Sequence, residues 1–357
     1  MIEALSTLYG AVAAWRRAWY DRDPSRRRWL ARPVISVGNL RVGGSGKTPI
    51  VEYIARMLLA HGERPAVLTR GYARRVVRDG VTIVSDGARI VGDLDTAGDE
   101  PLMLARSLPG VPVLVGADRY LSGTLAECRL GATVHLLDDG FQHLELGRDV
   151  DLLLVSEEDT ADRPMPAGRL RERVEAAKAA DAALVNAGYD SAAERIGRAI
   201  GVSPVFRVAR AIGVPRGITG ARDSVVVPPA SRVFVATGIA RPDRFVADIE
   251  AAGWEISGVM EFRDHHRYHP RDITRIAGEA RAKGSAIVLT TEKDAVRLAA
   301  CDLTGLPIAS VPLSIAVEPA DAFLKWLLDR IRPVTNPQSP PQSPPQSPPQ
   351  SAIRNPQ

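Results

Sequence analysis

The chain is poor in cysteine: Cys128 and Cys301 are the two cysteines among its 357 residues, and they lie far apart in the sequence. This scarcity argues against a disulfide framework or a Cys-rich metal site and is typical of a reducing compartment. No stretch approaches the roughly 18 apolar residues of a membrane-spanning helix. A signal peptide is not expected either, because Arg16 and Arg17 follow the first apolar stretch instead of preceding it.

The excess of basic over acidic residues is confined to the N-terminal segment. The chain has 46 Lys and Arg against 42 Asp and Glu, a formal charge of +4. Residues 1–32 hold seven arginines and three acidic residues, so this segment accounts for the whole excess. A uniformly basic nucleic-acid-binding surface is therefore not expected, and we predict no nucleic-acid partner.

The first 20 residues predict an amphipathic helix. Apolar residues recur at steps of three and four and would share one face of that helix. They are Ile2, Leu5, Leu8, Tyr9, Val12, Trp15 and Trp19. Arginines border this face, as in a helix that lies at the interface of an anionic membrane. A helix packed on the protein's own core would show the same pattern, and the residues alone do not choose between the two.

Short apolar runs alternate with helical stretches through most of the remaining chain, which predicts an α/β fold with a mostly parallel sheet. We predict a P-loop NTPase-like kinase domain over residues 33–205 and a second, smaller α/β domain over residues 206–332. Residues 1–32 would form the N-terminal helix and a basic segment. Residues 333–357 are rich in Pro, Gln and Ser, and we expect them to be disordered.

A glycine-rich loop follows the first predicted strand and opens a helix. It reads Arg41-Val42-Gly43-Gly44-Ser45-Gly46-Lys47-Thr48. In that context the backbone amides of such a loop cradle phosphates, which predicts an ATP site. Lys47 would reach the β- and γ-phosphates, and the Thr48 hydroxyl would bind Mg²⁺. The strict pattern G-x-x-x-x-G-K-[ST] has glycine where this chain has Arg41, so the other glycines would supply the flexibility.

Carboxylates follow another predicted strand. Asp138 and Asp139 end the apolar run 133–137, where a second set of magnesium ligands is usual beside a phosphate loop. Solvated aspartates of a turn would have the same sequence. Asp99 begins another predicted helix and is either its N-cap or a base that takes a proton from an attacking hydroxyl. The spacing does not separate these two roles.

Two further segments carry candidate groups. Arg70 and Tyr72 follow a predicted strand, where the arginine could bind an anion. His265 and His266 follow a strand of the second predicted domain, but adjacent histidines point in different directions and make a poor metal pair. A histidine next to Asp264 suits a hydrogen-bonded pair for proton handling. In an ordinary surface loop the same residues would have no function.

Seven segments of the chain, in order, resemble the tetraacyldisaccharide 4′-kinases of lipid A biosynthesis. They are residues 37–49, 70–72, 98–101, 137–143, 166–172, 262–265 and 291–294. The resemblance implies a P-loop kinase that transfers the γ-phosphoryl group of ATP to the 4′-hydroxyl of a tetraacylated glucosamine disaccharide 1-phosphate, giving lipid IVA. It also implies a peripheral enzyme on the cytoplasmic face of the inner membrane.

By the same resemblance Asp99 is the general base, assisted by His265, and Asp138 and Asp139 lie near Mg²⁺. Further active-site candidates are Arg70, Tyr72, Glu100, His143, Arg171 and Glu172. The chain departs from the family pattern at three positions that usually hold glycine or proline, which are Ala73, Arg169 and Arg173. These departures affect the expected loop geometry and leave the chemical groups in place.

Two other classes of function use the same residues. A P-loop NTPase switch or metallochaperone would hydrolyse nucleotide to control a protein partner, and residues 291–294 superficially resemble its guanine-reading signal. A non-catalytic membrane scaffold would leave the predicted magnesium ligands unexplained. The kinase interpretation predicts ATP and the acylated disaccharide as ligands, an anionic membrane in contact with residues 1–32, and no obligate protein partner.

Overall fold

The computed structural model describes residues 1–43, 46–72, 74–77, 79–218, 225–331 and 353–354. Within these residues, no helix combines the length and the apolar character needed to cross a membrane. The disorder predicted for residues 333–357 concerns a segment that, apart from the pair 353–354, lies outside the described part of the chain.

A large, mostly parallel sheet forms the body of the protein. Its strands are β1 (Val34–Asn39), β2 (Pro65–Thr69), β3 (Val81–Asp86), β4 (Pro112–Gly116), β5 (Val134–Asp138), β6 (Val150–Val155), β7 (Ala182–Asn186), β8 (Val205–Ile212), β14 (Leu313–Glu318) and β15 (Ile353–Arg354). Their order is β14-β8-β7-β6-β1-β5-β2-β4-β3-β15. Strands β1, β2, β4, β5 and β6 are buried at every position, which explains their continuous apolar sequences.

Helices cover both faces of this sheet. They are α1 (Ile2–Asp21), α2 (Lys47–Ala60), α3 (Leu94–Ala97), α4 (Asp99–Ser107), α5 (Arg119–Leu130), α6 (Glu157–Thr160), α7 (Asp190–Ile200) and α11 (Ala320–Ile331), with short 3₁₀ helices at Pro24–Arg26 and Val174–Ala179. Helices α2, α4 and α11 pack on one face through residues such as Ile54, Leu104 and Phe323. Helices α5 and α7 contribute Leu125 and Ile196 to separate apolar clusters.

A smaller sheet is built from strands between residues 216 and 311. Its strands are β9 (Arg216–Gly217), β10 (Arg232–Thr237), β11 (Glu255–Glu261), β12 (Ile287–Thr291) and β13 (Ile308–Val311), in the order β11-β10-β12-β13-β9. Helices α8 (Pro242–Ala251), α9 (Pro270–Ala282) and α10 (Glu292–Leu298) connect them. All pairs are parallel except β13 with β9. The predicted fold class, with a large parallel sheet, a smaller α/β unit and an N-terminal helix, is confirmed.

The chain returns to the large sheet at its C-terminal end. Strand β14 pairs antiparallel with β8, and α11 then packs on the large core through Phe323 and Leu327. Part of the range 206–332 thus contributes a strand and a helix to the large sheet. The division of the chain into domains at residues 32, 205 and 332 stays a prediction.

Helix α1 turns its apolar face away from the protein. Leu8 is 61% exposed and Trp15 63% exposed, and the other large apolar residues predicted on this face are exposed as well. The buried side of the helix consists of Ser6, Gly10, Arg17 and Tyr20. The alternative in which the apolar face packs on the protein's own core is therefore not the arrangement of α1.

Candidate active site

The glycine-rich loop joins β1 to α2 at the carboxyl edge of the large sheet. Gly46 is the N-cap of α2 and has a φ of 89°, a left-handed conformation that favours glycine. The first amides of α2 therefore begin directly behind this turn, where helix N-termini bind anions. Gly43 also has a positive φ of 101°, while Gly44 and Ser45 lie outside the described residues.

The first two side chains of α2 face the carboxylates that end β5. The Lys47 Nζ lies 2.9 Å from Asn39 Oδ1 and 3.2 Å from Asp139 Oδ1. The Thr48 hydroxyl donates to Asp138 Oδ2 at 3.5 Å. Strands β1 and β5 pair in parallel with Val37 opposite Asp138, and this register brings the loop and the carboxylates to one edge.

Asp138 is a buried carboxylate with a raised pKa. Its side chain is buried, and burial, together with the charges of Glu100 and Asp139, raises its pKa to about 7. Its Oδ1 atom has no hydrogen-bond partner among the described residues. An unsatisfied buried carboxylate oxygen is unfavourable, so this oxygen and the Thr48 hydroxyl fit a hard cation that prefers oxygen ligands, such as Mg²⁺.

Asp139 is held by cationic side chains instead. Arg171 Nη1 donates to both of its carboxylate oxygens at 3.0 and 2.8 Å, and Lys47 approaches the same group. Burial raises the pKa of the Asp139 carboxyl, but Lys47 and Arg171 outweigh that effect and lower it overall. In the described part of the chain no three or more His, Cys, Asp and Glu side chains are grouped so that they could hold a metal ion. Of the two aspartates, Asp138 has the oxygen without a hydrogen-bond partner among the described residues.

Asp99 and His265 meet across the two sheets. The His265 Nδ1 lies 2.8 Å and 3.1 Å from the two oxygens of Asp99. Asp99 is the first residue of α4, whose N-cap is Gly98, so the N-cap interpretation does not hold. His265 has a φ of 58°, an uncommon conformation that directs the ring towards α4.

The contact between Asp99 and His265 shifts the pKa of each group. Burial raises the pKa of Asp99, but the hydrogen bond and charge of His265 and the charges of Arg297 and Lys293 outweigh it, so the pKa is lowered. The hydrogen bond to Asp99 is the main cause that raises the pKa of His265. Asp99 is therefore an ionised carboxylate that faces a histidine, the arrangement of a general base with its partner.

Arg297, which was not among the predicted site residues, lies behind this pair. Its Nε is 3.5 Å from Asp99 Oδ2. Its Nη1 donates to His266 O at 3.2 Å and its Nη2 to Gly238 O at 2.9 Å. Since the His265 amide donates to the same Gly238 carbonyl, Arg297 holds the loop that carries His265. The signal in the sequence was the spacing of four from Lys293, which puts both cations on one face of α10.

Residues 291–294 have structural partners in the described chain. Lys293 forms an ion pair with Glu100 of α4. The Asp294 carboxylate is buried and accepts hydrogen bonds from Thr237, Tyr268 and Thr291. This motif therefore fixes the smaller sheet and links it to α4.

Two other predicted residues have contacts that the sequence did not suggest. Glu172 accepts two hydrogen bonds from Arg17 of α1, at 2.7 and 2.8 Å, and both side chains are buried. Arg41 forms ion pairs with three acidic side chains at 2.6, 2.8 and 3.1 Å, those of Glu158, Asp159 and Asp162. Its side chain is thus committed to an acidic cluster, and Val42 next to it is 44% exposed.

The remaining candidates lie around the edge of the site. The Tyr72 side chain is exposed, with its ring centroid 5.2 Å from that of His265. Arg70 is exposed, and its charge lowers the pKa of the buried Arg119, for which burial is the larger cause. Burial and the charges of nearby arginines lower the pKa of His143 to about 4, so this imidazole is neutral at pH 7.

Comparison with known proteins gives one consistent result. The family model described as Tetraacyldisaccharide-1-P 4′-kinase matches residues 1–332. A tetraacyldisaccharide 4′-kinase from Desulfotalea psychrophila is 40% identical over 303 residues, 82% of this chain and 86% of its own length. One from Syntrophus aciditrophicus is 36% identical over 354 residues, 93% of both chains.

A solved structure agrees with these relatives. The "apo" form of LpxK from Aquifex aeolicus in complex with ATP is 30% identical and superposes with a TM-score of 0.74, covering 92% of this chain and 98% of that chain. Sequence and structure thus agree over nearly the whole length of both proteins. The chain belongs to the tetraacyldisaccharide-1-P 4′-kinase family.

Proposed function

We propose that the protein transfers the γ-phosphoryl group of ATP to the 4′-hydroxyl of a tetraacylated glucosamine disaccharide 1-phosphate, giving lipid IVA. The observation that carries this proposal is the Asp99–His265 pair, which joins the two sheets. The adjacent Glu100 is near enough to Asp138 for its charge to raise the pKa of that carboxyl. A kinase that acts on an alcohol needs a base next to its nucleotide site. Family membership supports the kinase activity and the substrate class.

The nucleotide is bound by the start of α2. The amides that follow Gly46 face the phosphates, and Lys47 supplies a positive charge to them. Arg171, which holds Asp139, adds a second cation at the same edge. Phosphoryl transfer depends mainly on alignment and charge neutralisation, and these groups provide both.

Thr48 and Asp138 would hold Mg²⁺ in this proposal. The bound ion supplies positive charge to the β- and γ-phosphates. Its ligands would be the Thr48 hydroxyl and the Asp138 carboxylate, whose Oδ1 has no partner among the described side chains and backbone groups. Asp139 acts beside this site as the carboxylate that orients Lys47 and Arg171.

Asp99 takes the proton of the attacking sugar hydroxyl. Its ionised carboxylate lies in a small pocket lined by Leu94, His265, Arg267 and Arg297. The His265 Nδ1 bonds to that carboxylate and orients it, while the pair stays shielded from bulk water. Closure of the two sheets over substrate would complete this shielding and protect ATP from hydrolysis.

Helix α1 would bring the enzyme to its lipid on the cytoplasmic face of the inner membrane. The outward apolar face of α1 can enter the interface of the bilayer. The exposed arginines of this segment, Arg22, Arg28 and Arg32, meet anionic headgroups, each contributing about 1 kcal/mol near such a surface. Trp19 of this face is 40% exposed, and Trp29, which follows α1 in the chain, is 52% exposed.

The test is direct. The protein is incubated with radiolabelled ATP, Mg²⁺ and the tetraacyl disaccharide 1-phosphate in mixed micelles, and the lipid is separated. We expect a labelled bisphosphorylated lipid, which is lost when the Lys47→Ala variant is used. ATP hydrolysis without labelled lipid would instead indicate a nucleotide-driven switch.

The structure gives that alternative little support. A guanine-reading aspartate must present its carboxylate to the base. The Asp294 carboxylate is 0% exposed and its oxygens accept bonds from Thr237, Tyr268 and Arg297. Asp294 is therefore occupied by contacts within the smaller α/β unit, and Lys293 by its ion pair with Glu100 of α4.

A further inference from the structure

A chain of polar contacts runs from helix α1 to the nucleotide site. It begins at Arg17, whose Nε and Nη2 donate to Glu172 at 2.7 and 2.8 Å. The Arg17 Nη2 also donates to Phe141 O at 3.1 Å, and the guanidinium lies 4.3 Å from the centroid of the Phe141 ring. A bidentate, buried pair of this kind has little freedom to rearrange.

The next contacts lead to the phosphate loop. Glu172 Oε1 accepts from Gln142 Nε2 at 3.1 Å, and the same amide nitrogen donates to Asn39 O at 3.0 Å. The Gln142 Oε1 accepts from Arg171 Nη1 at 3.0 Å. Asn39 Oδ1 accepts from Lys47 at 2.9 Å. Each link is a hydrogen bond of normal length, and together they join α1 to the lysine of the loop.

The backbone of α1 is fitted to the same segment. A Cβ atom on Gly10 would lie 2.9 Å from Arg173 Nε and 3.1 Å from Pro164 Cγ, so a larger residue would displace these two side chains. Ser6 Oγ donates to Pro164 O at 2.6 Å, and Arg173 donates to Thr7 O at 3.3 Å. The helix therefore packs directly on the segment that carries Arg171 and Glu172.

We propose that Arg17 is a positioning residue of the nucleotide site, which acts through Glu172 and Gln142 to hold Arg171 and Lys47 in place. The helix that exposes its apolar face to solvent and the loop that binds phosphate then share one hydrogen-bonded network. Binding at one end stabilises the arrangement at the other, and such coupling is reciprocal. Glu172 serves the site through Arg17 and Gln142 rather than by contact with the nucleotide.

The inference rests on the proposed ATP site, and its test does not need the lipid. The affinity for ATP is measured by calorimetry on the full chain, with Arg17→Met, Glu172→Gln and the double variant. We expect each single variant to weaken ATP binding about tenfold, because a small misplacement of binding groups costs that much. The double variant should be no weaker than Arg17→Met alone, as expected for residues that act in one network.

A second measurement reports the amide hydrogen exchange of α1. In the wild-type chain a non-hydrolysable ATP analogue should slow amide hydrogen exchange in residues 2–21, and in Arg17→Met it should not. Arg17→Lys keeps the charge without the planar fork and should restore part of the affinity. Arg198→Met removes an exposed arginine that pairs with Glu194, and this control should bind ATP as the wild type does.

Several results would overturn the proposal. One is wild-type affinity in Arg17→Met. If Glu172→Gln loses affinity while Arg17→Met does not, Glu172 contacts the nucleotide and does not act through Arg17. The proposal would also be overturned if the losses of ATP affinity were additive in the double variant. An equal loss of ATP affinity in Arg198→Met would overturn it as well. Failure of lipid phosphorylation by the wild type would bear on the proposed function and leave these affinities unchanged.

Discussion

Asp99 is a buried carboxylate with His265 at 2.8 Å and Arg297 at 3.5 Å. These partners keep it ionised although it is removed from water, which is the state a base requires before it accepts a proton. Its position at the first residue of α4 adds the positive end of a helix dipole.

The first prediction concerns this residue. Asp99→Asn keeps the shape of the side chain and removes its basicity, so we expect kcat to fall about 10² to 10⁴-fold. The affinity for ATP should stay near the wild-type value, which calorimetry checks beside the steady-state assay. Asp302→Asn, which changes an exposed loop aspartate, is the control. Near-normal turnover by Asp99→Asn would show that another group is the base.

The second prediction concerns pH. The folded-state pKa of His265 is raised, so its contribution to stability is present below its unfolded pKa of about 6.5 and is lost as pH rises through the folded-state pKa. The free energy of unfolding of wild type minus that of His265→Gln should therefore be larger at about pH 5.5 than at about pH 9. Urea unfolding at both pH values measures this difference, and an equal difference at both would contradict it.

At the scale of elements, α1 differs from the other helices because it buries its polar side. Ser6 and Arg17 contact the protein through side-chain hydrogen bonds, and the apolar residues face away from it. A monomeric protein seldom leaves such a row of large apolar side chains exposed unless it meets another surface.

The third prediction tests that surface. Leu8→Ser with Trp15→Ser removes two outward apolar side chains and should lower partitioning to anionic vesicles by more than tenfold, since burial of each contributes about 1.5–3 kcal/mol. Vesicle sedimentation at low and high salt measures it, and binding of the wild type should weaken as salt increases. Tyr189→Ser alters a residue that is 61% exposed elsewhere and serves as the matched control. Unchanged binding by the double variant would exclude α1 as the docking element.

At the scale of the whole molecule, ionic contacts join the two sheets. Lys293 pairs with Glu100, Arg267 with Asp95, and His265 with Asp99. All three bring groups from the smaller sheet to α3 and α4 of the larger one. The relative position of the sheets thus decides whether the base has its histidine.

The fourth prediction follows from this interface. Lys293→Met leaves Glu100 without its cation and loosens the contact between the two sheets that brings His265 to Asp99. We therefore expect kcat to decrease. The free energy of unfolding should fall by about 1 kcal/mol, the usual scale for a partly exposed ion pair. Combination with Glu100→Gln should give a smaller loss than the sum of the single changes. Arg232→Met removes an exposed pair with Glu255 inside the smaller sheet and should leave kcat unchanged. Equal effects of Lys293→Met and Arg232→Met would contradict the prediction.

Much of this arrangement can be read from the sequence because local patterns determine it. The glycine-rich loop between β1 and α2 and the aspartates at the end of β5 follow from strand, turn and helix signals within a few residues. The pairing of β14 with β8 and the contacts of Arg17 with Glu172 and of Arg297 with Asp99 join residues more than 100 positions apart. No periodicity encodes such contacts, so only the folded chain reveals them.

The return of the chain to the large sheet has an architectural consequence. Ile212 and Leu313 are register partners of β8 and β14, so the smaller sheet leaves and re-enters the body at neighbouring points, about 5 Å apart between Cα atoms. A tight hairpin could replace residues 213–312 without stretching either strand. Such a shortened chain would keep Lys47, Thr48 and Asp138 and lose His265. Asp99 would also remain, so residues 213–312 supply the histidine partner of the proposed base and not the base itself.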